Sequence, residues 1–262
     1  MFKREFKINL KTLILWTSIL MTIFLLVYLV YPSMNFASQE AVNNMLRNFP
    51  EEILRTFNMD LISIDTAFGW YKTEGYVFIL LLGGVYSSLL GGSILLKEEN
   101  DETIEYLLSK PVKRSKVVSA KVLCGLVNIS LFVLILGIFN YIGLSLSGEF
   151  NEKLYLYTVI AQLLLFYPLF GISFLISSFF RKTKSVTGIV LSLVFLSYAL
   201  QMIGALSEKF RFLKNISLFE LASIRDIIKT NQISLRNIVI AVIIVIVSIA
   251  LSYYRYEKKE FL

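Results

Sequence analysis

Residues 97–121, KEENDETIEYLLSKPVKRSKVVSAK, carry the densest set of reactive side chains in the chain. Glu98, Glu99, Asp101, Glu102 and Glu105 fill the first half; Lys110, Lys113, Arg114, Lys116 and Lys121 follow. Two kinds of chemistry suit such residues. The i, i+3 and i+4 spacing of Glu98, Asp101, Glu102 and Glu105 gathers carboxylates on one helix face, where oxygen ligands can hold a hard cation. The Glu98–Glu99 pair with Arg114 suits acid–base work on a peptide bond.

The rest of the chain argues against both. It contains no histidine, which removes His-ligated metals, the Ser-His-Asp and Cys-His nucleophile systems and the usual proton shuttle near neutral pH. Its one cysteine, Cys124, excludes an internal disulfide. Carboxylates at a membrane edge are solvated by water, and a solvated helix face gives the same spacing without a metal. The expectation is no catalytic residue, no metal and no cofactor held by this chain.

The elements around the polar stretch are apolar. Hydrophobic residues make up 56% of 262, charged residues 17%, and mean hydropathy is +0.69. Soluble domains carry about 25% charged residues. Runs of about 20 apolar residues, the length a helix needs to cross a bilayer, are centred on 12–31, 75–96, 122–146, 154–180, 185–206 and 236–254. Backbone polar groups in lipid are satisfied only by helices or closed barrels, and these runs are too long for barrel strands. An all-α, polytopic integral membrane protein with six transmembrane helices follows, as a single transmembrane domain over 1–262. The run after Lys3, Arg4, Lys7 and Lys11 is long enough to span and lacks a small-residue cleavage site, so it reads as a retained first span.

The net charge of +7 reflects this topology and calls for no nucleic acid. With the N-terminus inside, 16 of the 26 Lys and Arg fall on the inner side, which puts both termini in the cytoplasm of a cell-membrane protein. Segments 32–74 and 207–235 are then extracytoplasmic. Val42, Met45, Leu46, Phe49, Ile53, Leu54 and Phe57 recur at helical intervals and predict amphipathic helices lying on the outer surface. Segment 207–235 mixes aromatic, aliphatic and basic residues and suits the interface or a partial dip into the membrane.

Within 97–121, acids precede Ile104, Leu107 and Leu108, and Lys110-Pro111 ends the element. Acids favour a helix start, and proline stops a helix at or before the preceding residue. The spacing predicts one helix of about three turns over 98–110, with a small apolar patch and an acidic face. Lys113, Lys116 and Lys121 follow in a basic run at the membrane edge, facing anionic lipid headgroups. Such a helix suits docking to a soluble partner; a solvated helical linker fits equally well on these grounds.

Thr103-Ile104-Glu105-x-Leu107-Leu108-x-x-Pro111-Val112-x-Arg114, followed by Val117-Val118 and Lys121, resembles the segment after the second span in ABC type-2 export permeases. Those proteins usually carry glycine where this chain has Glu102. "FPEEILRTF" (49–57) and "NISLFELASI" (215–224) agree with the resemblance, although the proline common near Leu218 is absent. The resemblance implies that 98–110 is a coupling helix docking on a separate ATPase subunit. Its contacts would come from Glu98, Glu99, Glu102, Thr103, Ile104, Glu105, Leu107, Leu108, Pro111 and Arg114. ATP and Mg would bind that partner, and the chain encodes no G-x-x-x-x-G-K-[ST] loop of its own. A second permease chain, identical or not, would complete the path through the membrane lipid.

No charged residue lies mid-span. Asn128, Asn140, Gln162 and Gln201 are the candidate pathway residues, though each is more simply explained by helix–helix hydrogen bonding. Sparse charge favours a hydrophobic or amphipathic cargo: a lipid-like molecule, a drug or a membrane-active peptide. The pairs Gly83-Gly84 and Gly91-Gly92 read as close helix packing, and Pro168 with Gly171 predicts a kink in the fourth span. The alternative function is a membrane scaffold or immunity protein that sequesters a toxin or partner without transport.

Overall fold

Six stretches of apolar sequence become six long helices in the computed structural model, which describes residues 2–30, 54, 66–104, 113–206 and 208–259. They are α1 (Phe2–Val30), α2 (Ala67–Ile94), α4 (Arg114–Ser147), α5 (Glu152–Ser178), α6 (Thr183–Leu206) and α9 (Leu235–Glu257). Each is long and apolar enough to cross a membrane. Short helices α3 (Lys97–Asn100), α7 (Arg211–Ile216) and α8 (Ile224–Thr230) and 3-10 turns at Glu208–Phe210 and Leu218–Ala222 lie between them, with no strand among the described residues. The chain is an all-α polytopic membrane protein. Apart from Leu54, the expected amphipathic helices of 38–57 lie outside the described residues, as do Glu105, Leu107, Leu108 and Pro111.

Burial divides the bundle into a centre and a periphery. The most apolar window of α2 is 67% buried and that of α5 56%, against 17% for α9 and 22% for α1 and α6. Small residues explain the close α2–α5 contact. A Cβ on Gly91 would come within 2.5 Å of the Phe170 carbonyl oxygen, and one on Gly83 would overlap the Phe166 ring. Gly125 of α4 makes a comparable close approach to the Phe170 ring. The glycine pairs therefore pack helices together. Ile243, Val247 and Leu251 on α9 and Phe195 and Leu196 on α6 are exposed on the outer surface, as lipid contact requires.

Residues 71–75 of α2 form a π turn, which continues into the helix without interruption. Helix α5 runs on through Pro168 as one element.

The 208–230 segment folds back into the bundle. The Ser217 hydroxyl donates to the Ser197 carbonyl (2.6 Å), and Leu218 N–H donates to Ser197 Oγ (2.8 Å). Ser197 lies nine residues before the end of α6, about 13 Å along the helix axis. Phe219, Leu221, Ala222, Ile224 and Ile227 are buried there. Side chains and short helical turns satisfy the backbone of this buried segment.

Candidate functional site

Helices α1, α4 and α6 start, and α2, α5 and α9 end, at one face of the bundle, and polar groups at the ends of α1, α2, α4, α5 and α9 meet there. The hub is Lys121. It sits about two turns into α4, too far inside to reach solvent, and is 1% exposed. Its ammonium donates to the Ile94 carbonyl at 2.6 Å, lies 2.7 Å from Glu98 Oε2 and 3.6 Å from Glu5 Oε2. Glu98 and Glu5 are themselves buried. Both carboxylate oxygens make ionic contacts without hydrogen-bond alignment. An isolated buried charge would be costly, and pairing makes it tolerable.

Glu99, the next residue, turns the other way. Its Oε1 accepts from Lys259 Nζ at 2.7 Å, and the same ammonium donates to the Phe180 carbonyl just past the end of α5. Burial pushes the Lys259 ammonium below its ordinary pKa, with the Glu99 hydrogen bond working against that shift. Arg114 reinforces the junction, donating to the Glu257 and Lys259 carbonyls at 3.0 and 2.8 Å. Adjacent glutamates thus tie α3 to α1 and α4 on one side and to α5 and α9 on the other. They diverge and do not converge on a common cation.

Three expectations are corrected here. Lys121 does not face headgroups: its side chain is buried and its charge pairs with Glu98. Glu98 is not on an outward docking face, because the same ion pair draws it into the bundle. The single helix over 98–110 is broken at Glu102. Thr103 N–H donates to the Glu98 carbonyl (2.8 Å) and Glu102 N–H to the Glu99 carbonyl (3.4 Å), while Glu102 adopts φ 56°. These are the two bonds and the left-handed residue of a Schellman C-cap. The chain stops α3 there, and Ile104 is again helical. The left-handed position is the one where the resembling permeases carry glycine, the residue that adopts it without steric cost.

Asp101, Glu102 and Thr103 are exposed beyond this cap, Ile104 is half-buried, and Lys113 and Lys116 are exposed on the first turn of α4. The sequence signal that Lys121 belongs inside is its position, after Val117-Val118 and before Val122-Leu123. Glu5 stands out too, as the one acid among four bases in residues 1–11.

The candidate pathway residues do not gather at one point. Asn128 donates to the Cys124 carbonyl (2.8 Å) and leaves its Oδ1 without a partner. Asn140 donates to the Leu136 carbonyl and accepts from Tyr28 OH at 2.9 Å. Gln162 is buried with an unpartnered Oε1. Gln201 instead helps line a cleft of about 210 Å³ between α2, α6 and the re-entrant segment, at the opposite face from Lys121. Its walls are mostly apolar (Val77, Phe78, Leu81 and Met202 among them), with Glu74 projecting from the π turn.

A family model described as an ABC-2 family transporter protein matches residues 1–261. No curated protein and no solved structure matches the chain.

Proposed function

We propose an export role for this chain, which belongs to the ABC-2 transporter family. It is a multi-pass membrane permease component of an ABC transporter system, a system that includes an ATPase partner. We infer further that the segment between α2 and α4 is where that ATPase docks. Ile104, Leu107 and Leu108 supply the apolar anchor, and Glu102, Thr103 and Glu105 supply orienting polar contacts. Both termini then face the cytoplasm, ATP and Mg bind the partner, and a second permease chain completes the path.

The observation that supports this reading is the double anchoring of α3. A displacement of the exposed 101–103 turn is transmitted through Glu98 to α1 and α4, and through Glu99 to α5 and α9. A solvated linker has no need of two buried ion pairs at its root. The spans hold no mid-membrane charge, and the apolar cleft ends in polar groups, which suits an amphipathic cargo.

Replacing Ile104, Leu107 and Leu108 together by Asp tests the assignment. In proteoliposomes with the ATPase, the triple variant should keep its thermal unfolding midpoint while transport is lost and hydrolysis is either released from control or no longer membrane-associated. Unchanged binding and transport would refute the docking role. Co-purification of a partner indifferent to nucleotide would favour a scaffold.

A further inference from the structure

At the face where α5 and α9 end, Phe179, Arg181, Arg255, Lys258 and Lys259 line an open cavity of about 330 Å³. Among the described residues lining it are four bases and no acid. Two of the bases project from the last turn of α9 and its cap. The Arg255 guanidinium lies 5.4 Å from the Phe179 ring centroid, and Lys258 Nζ lies over Tyr254, 4.2 Å from its centroid. Aromatic contacts fix these side chains without neutralising their charge. Lys259 forms the inner wall and is 6% exposed. Arg181 and Arg255 both oppose its charge, adding to the effect of burial.

A cavity with this lining recognises a phosphate or another compact anion. The surface leading to it identifies the source. Ile243, Val247, Leu251 and Tyr254 are exposed on α9 at intervals of four, four and three residues. That spacing makes one stripe, and Arg255 and Lys258 continue it. The apolar stripe therefore runs along the lipid-facing side of a span and ends at the basic cavity.

We propose that this cavity binds the phosphate headgroup of an anionic membrane lipid, whose acyl chain lies along Ile243, Val247 and Leu251. The site stands apart from the docking assignment. If that assignment holds, the lipid abuts Lys259, which also holds Glu99 at the root of the docking segment.

The test uses the full chain in phosphatidylcholine nanodiscs, with phosphatidylglycerol added and bound lipid counted by native mass spectrometry. The wild type should retain phosphatidylglycerol over phosphatidylcholine. R255Q/K258Q should lower that retention about thirtyfold, as expected for two charges removed near anionic lipid. K182Q/K184Q, which removes two exposed bases from the adjoining turn outside the cavity, should leave it unchanged. Equal losses in the two double variants would reveal diffuse attraction and overturn the site. Binding of inorganic phosphate that depends on Arg255 and Lys258, without a preference for phosphatidylglycerol, would assign the cavity to a soluble anion and overturn the lipid. Thermal unfolding in phosphatidylcholine checks the fold, and K258Q alone, at an exposed side chain, gives the same comparison if the double variant misfolds.

Discussion

The ammonium of Lys121 lies 2.7 Å from the carboxylate of Glu98, with side chains 1% and 6% exposed. A third ionisable group, Glu5, is 3.6 Å from the same nitrogen. This pair joins the end of the second span to the third, and its energetics are those of a buried ion pair: breaking it costs more than its presence contributes.

Removing one partner should therefore be severe. Lys121→Met leaves Glu98 and Glu5 buried without their cation and should destabilise the chain by about 3–5 kcal/mol. The E98L/K121M double variant should be milder than K121M alone, since one stranded carboxylate goes with the cation. Thermal or denaturant unfolding of the four members of the cycle measures the coupling. Additive effects would show that the two groups do not interact.

Glu102 gives a prediction of opposite sign. Its φ of 56° is left-handed, a conformation that costs a non-glycine residue about 1–2 kcal/mol. Glu102→Gly should raise stability by about 1 kcal/mol through the same C-cap, whereas Glu102→Ala should not. Unfolding midpoints of the two variants, measured side by side, decide the matter.

Two glycines in the spans predict contrasting outcomes for one substitution. A Cβ on Gly91 meets the Phe170 carbonyl oxygen at 2.5 Å, while one on Gly188 meets nothing within 4 Å. Gly91→Ala should cost about 1–3 kcal/mol from overpacking, and Gly188→Ala should be neutral or gain about 0.4–1 kcal/mol. Thermal midpoints in one detergent provide the comparison.

What the sequence disclosed followed from local regularity. Apolar runs of bilayer length announce six spans, and proline and charge order mark the 97–121 segment as a distinct element. Glu98, Glu99 and Lys121 were legible as charges but not as buried ones. Glu5, the second partner of Lys121, and Lys259, the partner of Glu99, lie 116 and 160 residues away in the chain, and no local period encodes such meetings. The break at Glu102 was concealed because glutamate favours helix, and the resemblance alone pointed to a glycine-like position. The re-entrant turn at Ser217 was suggested by mixed polarity, yet its depth is set by Ser197 of another helix.

The re-entrant segment supplies a pH dependence whose sign can be worked out. Glu220 is 2.9 Å from Lys214, and burial raises its carboxyl above the ordinary carboxylate value, with Lys214 partly offsetting the rise. A folded-state pKa above the unfolded one means that the native state holds the proton more tightly. The stability Glu220 contributes is then fully present below the unfolded carboxylate pKa of about 4.3 and is lost as pH rises through the raised folded value. Glu220→Gln cannot titrate, so the stability of the wild type relative to this variant should fall as pH increases across that window. Unfolding of both proteins at several pH values, in the same lipid discs, cancels the groups they share. A wild-type stability that instead rises relative to Glu220→Gln as pH increases would mean that the pairing with Lys214 outweighs burial.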